Sequence, residues 1–261
     1  MKSWAALSTA FLVFAALGAP PARATERRFT YTNESTVLAA GGRELEPWTT
    51  WRGGRHDYYS AFDERLEFEV GVTDRLQSSW YLNLSSVTTG PSRQQTSSFD
   101  GISSEWKVKF SDAVADRVGS ALYLEATFGP DLAELEGKLI FDRQIGKLLV
   151  ALNLVGAYAL DLGVNPTAAE TEVEAVAALS YALRPGLGFG LEMIEHNRLA
   201  GLAWEEAVFF GGPVATYAAE AWWATLTVAL QWVALVGASD GHQNLLSAER
   251  AQVRFLFGWH L

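Results

Sequence analysis

The sequence predicts an all-β fold: a single antiparallel barrel of about twelve strands that spans a lipid bilayer. Three observations carry that expectation. The chain closes on Val253, Phe255, Phe257, Trp259 and Leu261, alternating with Arg254, Leu256, Gly258 and His260. This is the period of a strand with one apolar face, and a face of that kind at a terminus is better matched by lipid than by water. At the other end, Lys2 precedes an apolar run from Trp4 to Gly18, then Pro20-Pro21 and Ala22-Arg23-Ala24. A basic start, a short apolar core and a small-x-small site are the parts of a secretory signal peptide, residues 1–24, leaving 25–261 as the barrel. Between these ends, period-two stripes of ionic and apolar residues recur along the chain.

Helical alternatives are weak. The run from Trp4 to Gly18 is shorter than the roughly 20 residues a helix needs to cross hydrocarbon. Leu148 to Leu160 and Ala221 to Ala238 are the nearest later candidates, but they contain Asn153 and Gln231 and are rich in β-branched or aromatic residues. There is no cysteine, so disulfides and thiolate metal sites are excluded. A formal net charge of −10 and the lack of a basic patch argue against a nucleic-acid partner. Ten Trp, eight Tyr and fourteen Phe suit the aromatic girdles of a barrel at the two membrane interfaces. A soluble sandwich shares the period, and what favours the barrel is repetition in segments of ten residues or more.

Taken in order, strands are expected near 29–38, 61–71, 76–87, 101–111, 117–128, 132–142, 147–159, 169–183, 187–196, 205–217, 221–235 and 248–260. In the second, Leu66, Phe68 and Val70 oppose Arg65, Glu67 and Glu69. In the fourth, Trp106, Val108 and Phe110 oppose Glu105, Lys107 and Lys109. In the sixth, Leu135, Leu139 and Phe141 oppose Glu134, Glu136 and Lys138, and in the eighth Val173 to Leu179 oppose Glu170, Glu172 and Glu174. In the eleventh, Trp222, Leu226, Leu230 and Trp232 oppose Trp223, Thr225, Thr227 and Gln231. Tight turns at 72–75, 112–116, 143–146, 184–186 and 218–220 would face the periplasm, with longer loops at 39–60, 88–100, 160–168 and 236–247 on the other side. Residues 43–51 could add a strand and Gly211-Gly212-Pro213 could split or bulge the tenth, so the count stays open to ten or fourteen.

The ending Val253-x-Phe255-x-Phe257-x-Trp259-x-Leu261 resembles the C-terminal signature of Gram-negative outer-membrane β-barrels, differing in its last residue, where Phe is usual. The resemblance implies an outer-membrane location among lipids, with Phe255, Phe257, Trp259 and Leu261 read by the barrel assembly machinery. The segments Glu67 to Leu76 and Leu179 to Glu192 look like the strand–turn–strand hairpins of uncharacterised porin-like proteins, which implies a transporter or channel. No catalytic residue carries over from either resemblance.

With the apolar sets facing lipid, the lumen receives Glu67, Glu69, Glu105, Glu125, Glu134, Glu136, Glu170, Glu172, Glu174 and Glu192. Arg65, Lys107, Lys109, Lys138, Arg250 and Arg254 stand against them. An acidic wall concentrates cations, so the expected function is a passive, mildly cation-favouring channel for small solutes, acting as a monomer. Two alternatives stand beside it: a structural barrel whose lumen is filled by an acid–base lattice, and a lipid-active hydrolase. Of His56, His196, His242 and His260, none falls in a metal-binding motif, and no nucleophile–base–orienter set can be assembled. No catalytic residue, metal or cofactor is therefore expected. Trp48 and Trp51, placed with Tyr58 and Tyr59 in the first long loop, are expected to anchor the barrel rim rather than to greet an apolar ligand.

Overall fold

A computed structural model describes residues 26–163, 169–201 and 203–261. The expected signal peptide, and 164–168 of the expected loop 160–168, lie outside them. The chain forms twelve strands: β1 (Arg43–Gly53), β2 (Tyr59–Thr73), β3 (Leu76–Thr89), β4 (Gln94–Ser111), β5 (Gly119–Phe128), β6 (Leu132–Ile145), β7 (Leu148–Asp161), β8 (Ala169–Arg184), β9 (Leu187–Ala200), β10 (Ala203–Ala218), β11 (Trp222–Val236) and β12 (Ala251–His260). Each strand is antiparallel to its sequence neighbours, and β12 returns to pair with β1, which closes the sheet. Closure leaves no backbone edge to be desolvated in lipid. Among the described residues no helix is long and apolar enough to cross a membrane.

The period-two stripes decide which way each strand faces. Leu66, Phe68, Trp106, Phe110, Leu135, Leu139, Leu179, Trp222, Leu226, Leu230 and Trp232 are exposed on the outer wall, while Glu67, Glu69, Glu105, Lys107, Trp223, Thr225, Thr227 and Gln231 are buried inside. The closing strand behaves likewise. Phe255 and Trp259 are exposed, Leu256 is buried, and Phe257 stacks on Trp222 with ring centroids 5.7 Å apart. Strands of ten to eighteen residues are long enough for a tilted crossing.

The count of twelve is met, but by a different first strand. Residues 29–38, expected to be the first strand, lie in a stretch outside the sheet, 26–42, and the strand is β1, which occupies half of the expected loop 39–60 and covers the 43–51 that could add a strand. The reason is chemical. The backbone N–H groups of Thr30, Tyr31, Thr32, Asn33, Ser35 and Leu38 bond to inward-pointing side chains of the wall instead of to a neighbouring strand. The expected loop 88–100 is likewise mostly strand, with only residues 90–93 left as the turn between β3 and β4.

The five expected turns lie at one end, at Asp74-Arg75, 112–118, Gly146-Lys147, Pro185-Gly186 and 219–221, but the connections 54–58, 90–93 and 129–131 at the other end are as short, against the long loops expected there. At 112–118 the Asp112 carboxylate accepts the N–H groups of Val114 and Ala115 (2.9 and 3.1 Å), which hold its pKa below the usual carboxylate range. At the opposite end the one long described connection is 237–250. Strand β10 runs unbroken through Gly211-Gly212-Pro213, with register shifts toward β11 just before it. A Cβ at Gly212 would stand 1.8 Å from the Val228 carbonyl oxygen, so only glycine lets the two backbones approach this closely.

Candidate functional site in the barrel lumen

The lumen is occupied in its half nearest the turns at Asp74-Arg75, 112–118 and 219–221 by residues 26–42. Starting near the short-turn end, the Arg27 carbonyl accepts hydrogen bonds from Thr216 and Thr225 (3.2 and 2.7 Å). The stretch then climbs to an apex at Thr30–Thr32. There the Glu192 carboxylate accepts the N–H groups of Thr30, Tyr31 and Thr32 at 2.9–3.0 Å, together with the hydroxyls of Thr30 and Thr227. Descending, Asn33 exchanges two bonds with Asn153 (2.6 and 2.9 Å), and Ser35 gives two to Asp142 (2.8 and 2.6 Å). The N–H groups of Leu38 and Ala40 reach Gln77 and Asp74 (2.8 and 3.1 Å). At the entry to β1 the Gly41 N–H donates to the Gly71 carbonyl (2.8 Å) and the Gly71 N–H to the Gly42 carbonyl (2.9 Å).

This stretch divides the interior in two. On the side of β7–β11 it packs against apolar wall: Phe29 is fully buried with Leu149, Ala151, Ala178 and Val214, and Tyr31 lies against a cluster containing Val155, Ile194, Val208 and Phe210. The β1–β6 side is ionic. Barrel stagger carries its charges around the wall as rising rows. One row runs through directly paired positions Glu44, Glu69, Ser79, Glu105, Glu125, Glu136, Ala157, Glu172, Arg198 and Glu206, from the short-turn end to the opposite mouth. The next carries Lys107, Tyr123, Lys138, Val155, Glu174 and His196. The acid and base stripes of β4 and β6 therefore form one lattice, with β5 supplying Glu125 and Tyr123 between them.

Above the apex lies a vestibule of about 430 Å³. It is lined by Arg52, Arg55, Arg65, Lys138, Arg198 and Arg254 and by Asp63, Glu136, Glu172, Glu174, Glu206 and Glu249, with Trp48 and Tyr31 at its floor. Several of these are paired: Arg52 with Asp63 (2.7 Å), Lys138 with Glu136 (2.9 Å), and Arg65 with Glu125 (2.8 Å). Its roof is the 237–250 loop folded inward. Gln231 pins that loop by donating to the Asn244 and Glu249 carbonyls (3.0 and 2.9 Å) and accepting the Asn244 N–H (2.7 Å).

The residues expected to line the lumen fall into three groups. Arg65, Glu136, Lys138, Glu172, Glu174 and Arg254 line the vestibule. Glu67, Glu69, Glu105, Lys107, Glu125 and Glu192 are buried deeper, where several are fixed by structural bonds. Four sit at the ends. Lys109 meets Asp112 at the short-turn rim (3.6 Å), Glu134 stands on the inward face of β6 toward the mouth, and Glu170 faces Arg198 at the mouth (3.5 Å). Arg250 lies in the loop before β12, half-exposed and beside Asp240 (3.8 Å).

The luminal stretch, and with it Arg27 and Tyr31, was not legible as such in the sequence, and Trp48, expected to anchor the rim, lines the lumen. Trp48 belongs to β1 and faces inward, edge-on to Tyr81 (5.9 Å) and under the Arg27 guanidinium (4.7 Å). The signal for β1 was legible in Glu44-Leu45-Glu46, whose acids alternate with a lipid-side residue. Among the described residues the ring contacts of His196, His260 and His56 are with carboxylates: Glu174 at 2.6 Å, Glu44 at 2.7 Å and Asp57 at 3.6 Å.

A closed barrel with an apolar outer wall, a charged lumen and short turns at one end is an outer-membrane β-barrel built like outer-membrane channels and porins. More particularly, residues 21–152 and 158–261 match the "Family of unknown function (DUF6662)", and the chain belongs to that family. No curated protein sequence matches it. Among solved structures it is similar to the COG4313 outer membrane channel from Pseudomonas putida F1, at 11% identity and a TM-score of 0.65, covering 89% of this chain and 100% of that one. It is also similar to the NanC porin, at 10% identity and a TM-score of 0.53, covering 83% and 100%. At such identities the likeness is one of fold.

Proposed function

We propose that this protein is a passive outer-membrane channel for small solutes, acting as a monomer and mildly favouring cations, with its flow limited by the luminal stretch 26–42. The observation that carries this reading is the vestibule above the stretch: about 430 Å³ of space walled by charged side chains and floored by a segment held through hydrogen bonds rather than strand pairing. A hydrogen-bonded floor can yield without breaking the barrel. The bias toward cations rests on the deeper interior, where the buried acids Glu44, Glu46, Glu67, Glu69, Glu105, Asp142 and Glu192 outnumber Arg27 and Lys107, because an acidic low-dielectric passage concentrates positive ions. The vestibule itself carries balanced charge. The reading involves no chemical step, and histidines that contact carboxylates inside the lumen lend no support to a lipid-active hydrolase.

The test is single-channel conductance in a planar bilayer under a salt gradient, for the wild type and for Glu192→Ala. Small steps with a cation-favouring reversal potential are expected, and the substitution should raise the conductance severalfold by freeing the apex. The packed short-turn half favours a second reading, a closed structural barrel. A folded protein that stays silent with and without Glu192 would select it.

A further inference from the structure

Glu46 on β1 and Glu67 on β2 are directly paired across the strands, with Glu44 opposite Glu69 on an adjoining inward pair. The carboxylate oxygens of Glu46, Glu67 and Glu69 lie within 4.8 Å of one another, and all three residues are buried, Glu67 completely. Like charges paired in this way destabilise a sheet, and a buried charge without a partner is more costly still. Compensation from the protein is incomplete. Arg27 reaches Glu46 at 3.5 Å and the Trp48 indole N–H donates to the same oxygen at 3.2 Å, whereas neither oxygen of Glu67 has a hydrogen-bond partner among the described residues.

Beside the three acids, between the luminal stretch and the wall, is a cavity of about 20 Å³ whose border includes the acids Glu34, Glu46, Glu69 and Glu105 and the cations Arg27 and Lys107. It is large enough for one water or ion. We propose that Glu46, Glu67 and Glu69 bind a single hard divalent cation of the Ca2+ or Mg2+ class on the inner wall beneath the luminal stretch. The donor chemistry selects that class, since every ligand is a carboxylate oxygen and no imidazole or sulfur is in the set. The ion supplies the positive charge that Arg27 alone does not, and it ties β1 to β2 where the chain passes from the lumen into the wall. Glu172, Glu174 and His196 also gather within 4.8 Å, but there the imidazole is already paired with Glu174 at 2.6 Å and, among the described residues, none of the three has a buried side-chain atom without a partner, as Glu67 has.

Trp48, bonded to Glu46, provides a local reporter. The purified barrel in detergent, stripped with EDTA, is titrated with Tb3+ under tryptophan excitation, and binding is followed in parallel by calorimetry. The expected result is one saturable site per chain with sensitised emission that Ca2+ displaces. Glu67→Gln should weaken binding at least tenfold, Glu220→Gln in the turn at 219–221 should leave it unchanged, and Trp48→Phe should lose most of the emission while still binding. Glu69→Gln replaces Glu67→Gln if the latter does not refold. A wild-type barrel that binds neither Tb3+ nor Ca2+ overturns the proposal in favour of carboxyl groups that share protons. Binding that survives Glu67→Gln and Glu69→Gln but is lost in Glu174→Gln also overturns it, by moving the site to the vestibule.

Discussion

Glu192 shows how far a residue's role can depart from what its strand position suggests. By alternation it belongs to the lumen, and the lumen is where it lies, but its carboxylate is spent on three backbone N–H groups and two hydroxyls of the luminal stretch and wall. Hydrogen bonds to an ionised acceptor are stronger than neutral ones, and donors stranded without a partner each add a desolvation cost. Glu192→Ala should therefore weaken docking of the stretch by about 3 kcal/mol while the barrel stays closed. Hydrogen exchange should show lost protection at Thr30, Tyr31 and Thr32 with β8 and β9 unchanged; unchanged exchange at all three would mean that Phe29 and its apolar neighbours hold the stretch without Glu192. No sequence pattern distinguishes a glutamate that shapes a field from one that anchors a backbone, because the difference lies in what is placed opposite it.

At the scale of the element, the luminal stretch and β1 exchange places relative to the sequence expectation. Phe29 and Tyr31 alternate with Thr30 and Thr32, which is why 29–38 passes for a strand, yet Thr32, Asn33 and Ser35 are all buried and all lie next to wall acids or amides. A run of Ser, Thr and Asn offers the backbone local and side-chain partners in place of a ladder. Glycine then makes the handover to β1 possible. A Cβ on Gly71 would stand 2.1 Å from the Ala39 carbonyl oxygen, at the point where the stretch leaves the lumen. Gly71→Val is expected to displace this exit at a cost of about 2 kcal/mol, within the range for overpacking. Limited proteolysis should then cut near residues 38–42, a region expected to resist in the wild type; equal resistance in both proteins would refute the role given to Gly71.

For the whole molecule, two solvents act on one sheet. Leu139 points into lipid midway along β6, while its neighbour Lys138 points into the lumen and pairs with Glu136 at 2.9 Å. Leu139→Arg should cost about 2–4 kcal/mol, the penalty for a cation on the lipid face near the bilayer centre. Lys138→Gln should cost about 1 kcal/mol, as for one partly exposed ion pair. Reversible urea unfolding in lipid vesicles measures both, and equal costs would contradict the assignment of the two faces.

The alternation of apolar and ionic residues was enough by itself to determine a closed transmembrane barrel of about twelve strands and the outward and inward faces of those it located, but not the first strand, which is Arg43–Gly53 and not 29–38. It could do so because a bilayer forces every backbone group into a closed sheet and rewards a strict two-residue period. The same pattern was silent on what fills the interior. That residues 26–42 occupy one half of the lumen, that the 237–250 loop roofs the vestibule, and that Glu46, Glu67 and Glu69 converge were decided only by the tertiary structure. These contacts join residues far apart in the chain through side chains, and their partners are chosen by barrel stagger and closure rather than by any local periodicity.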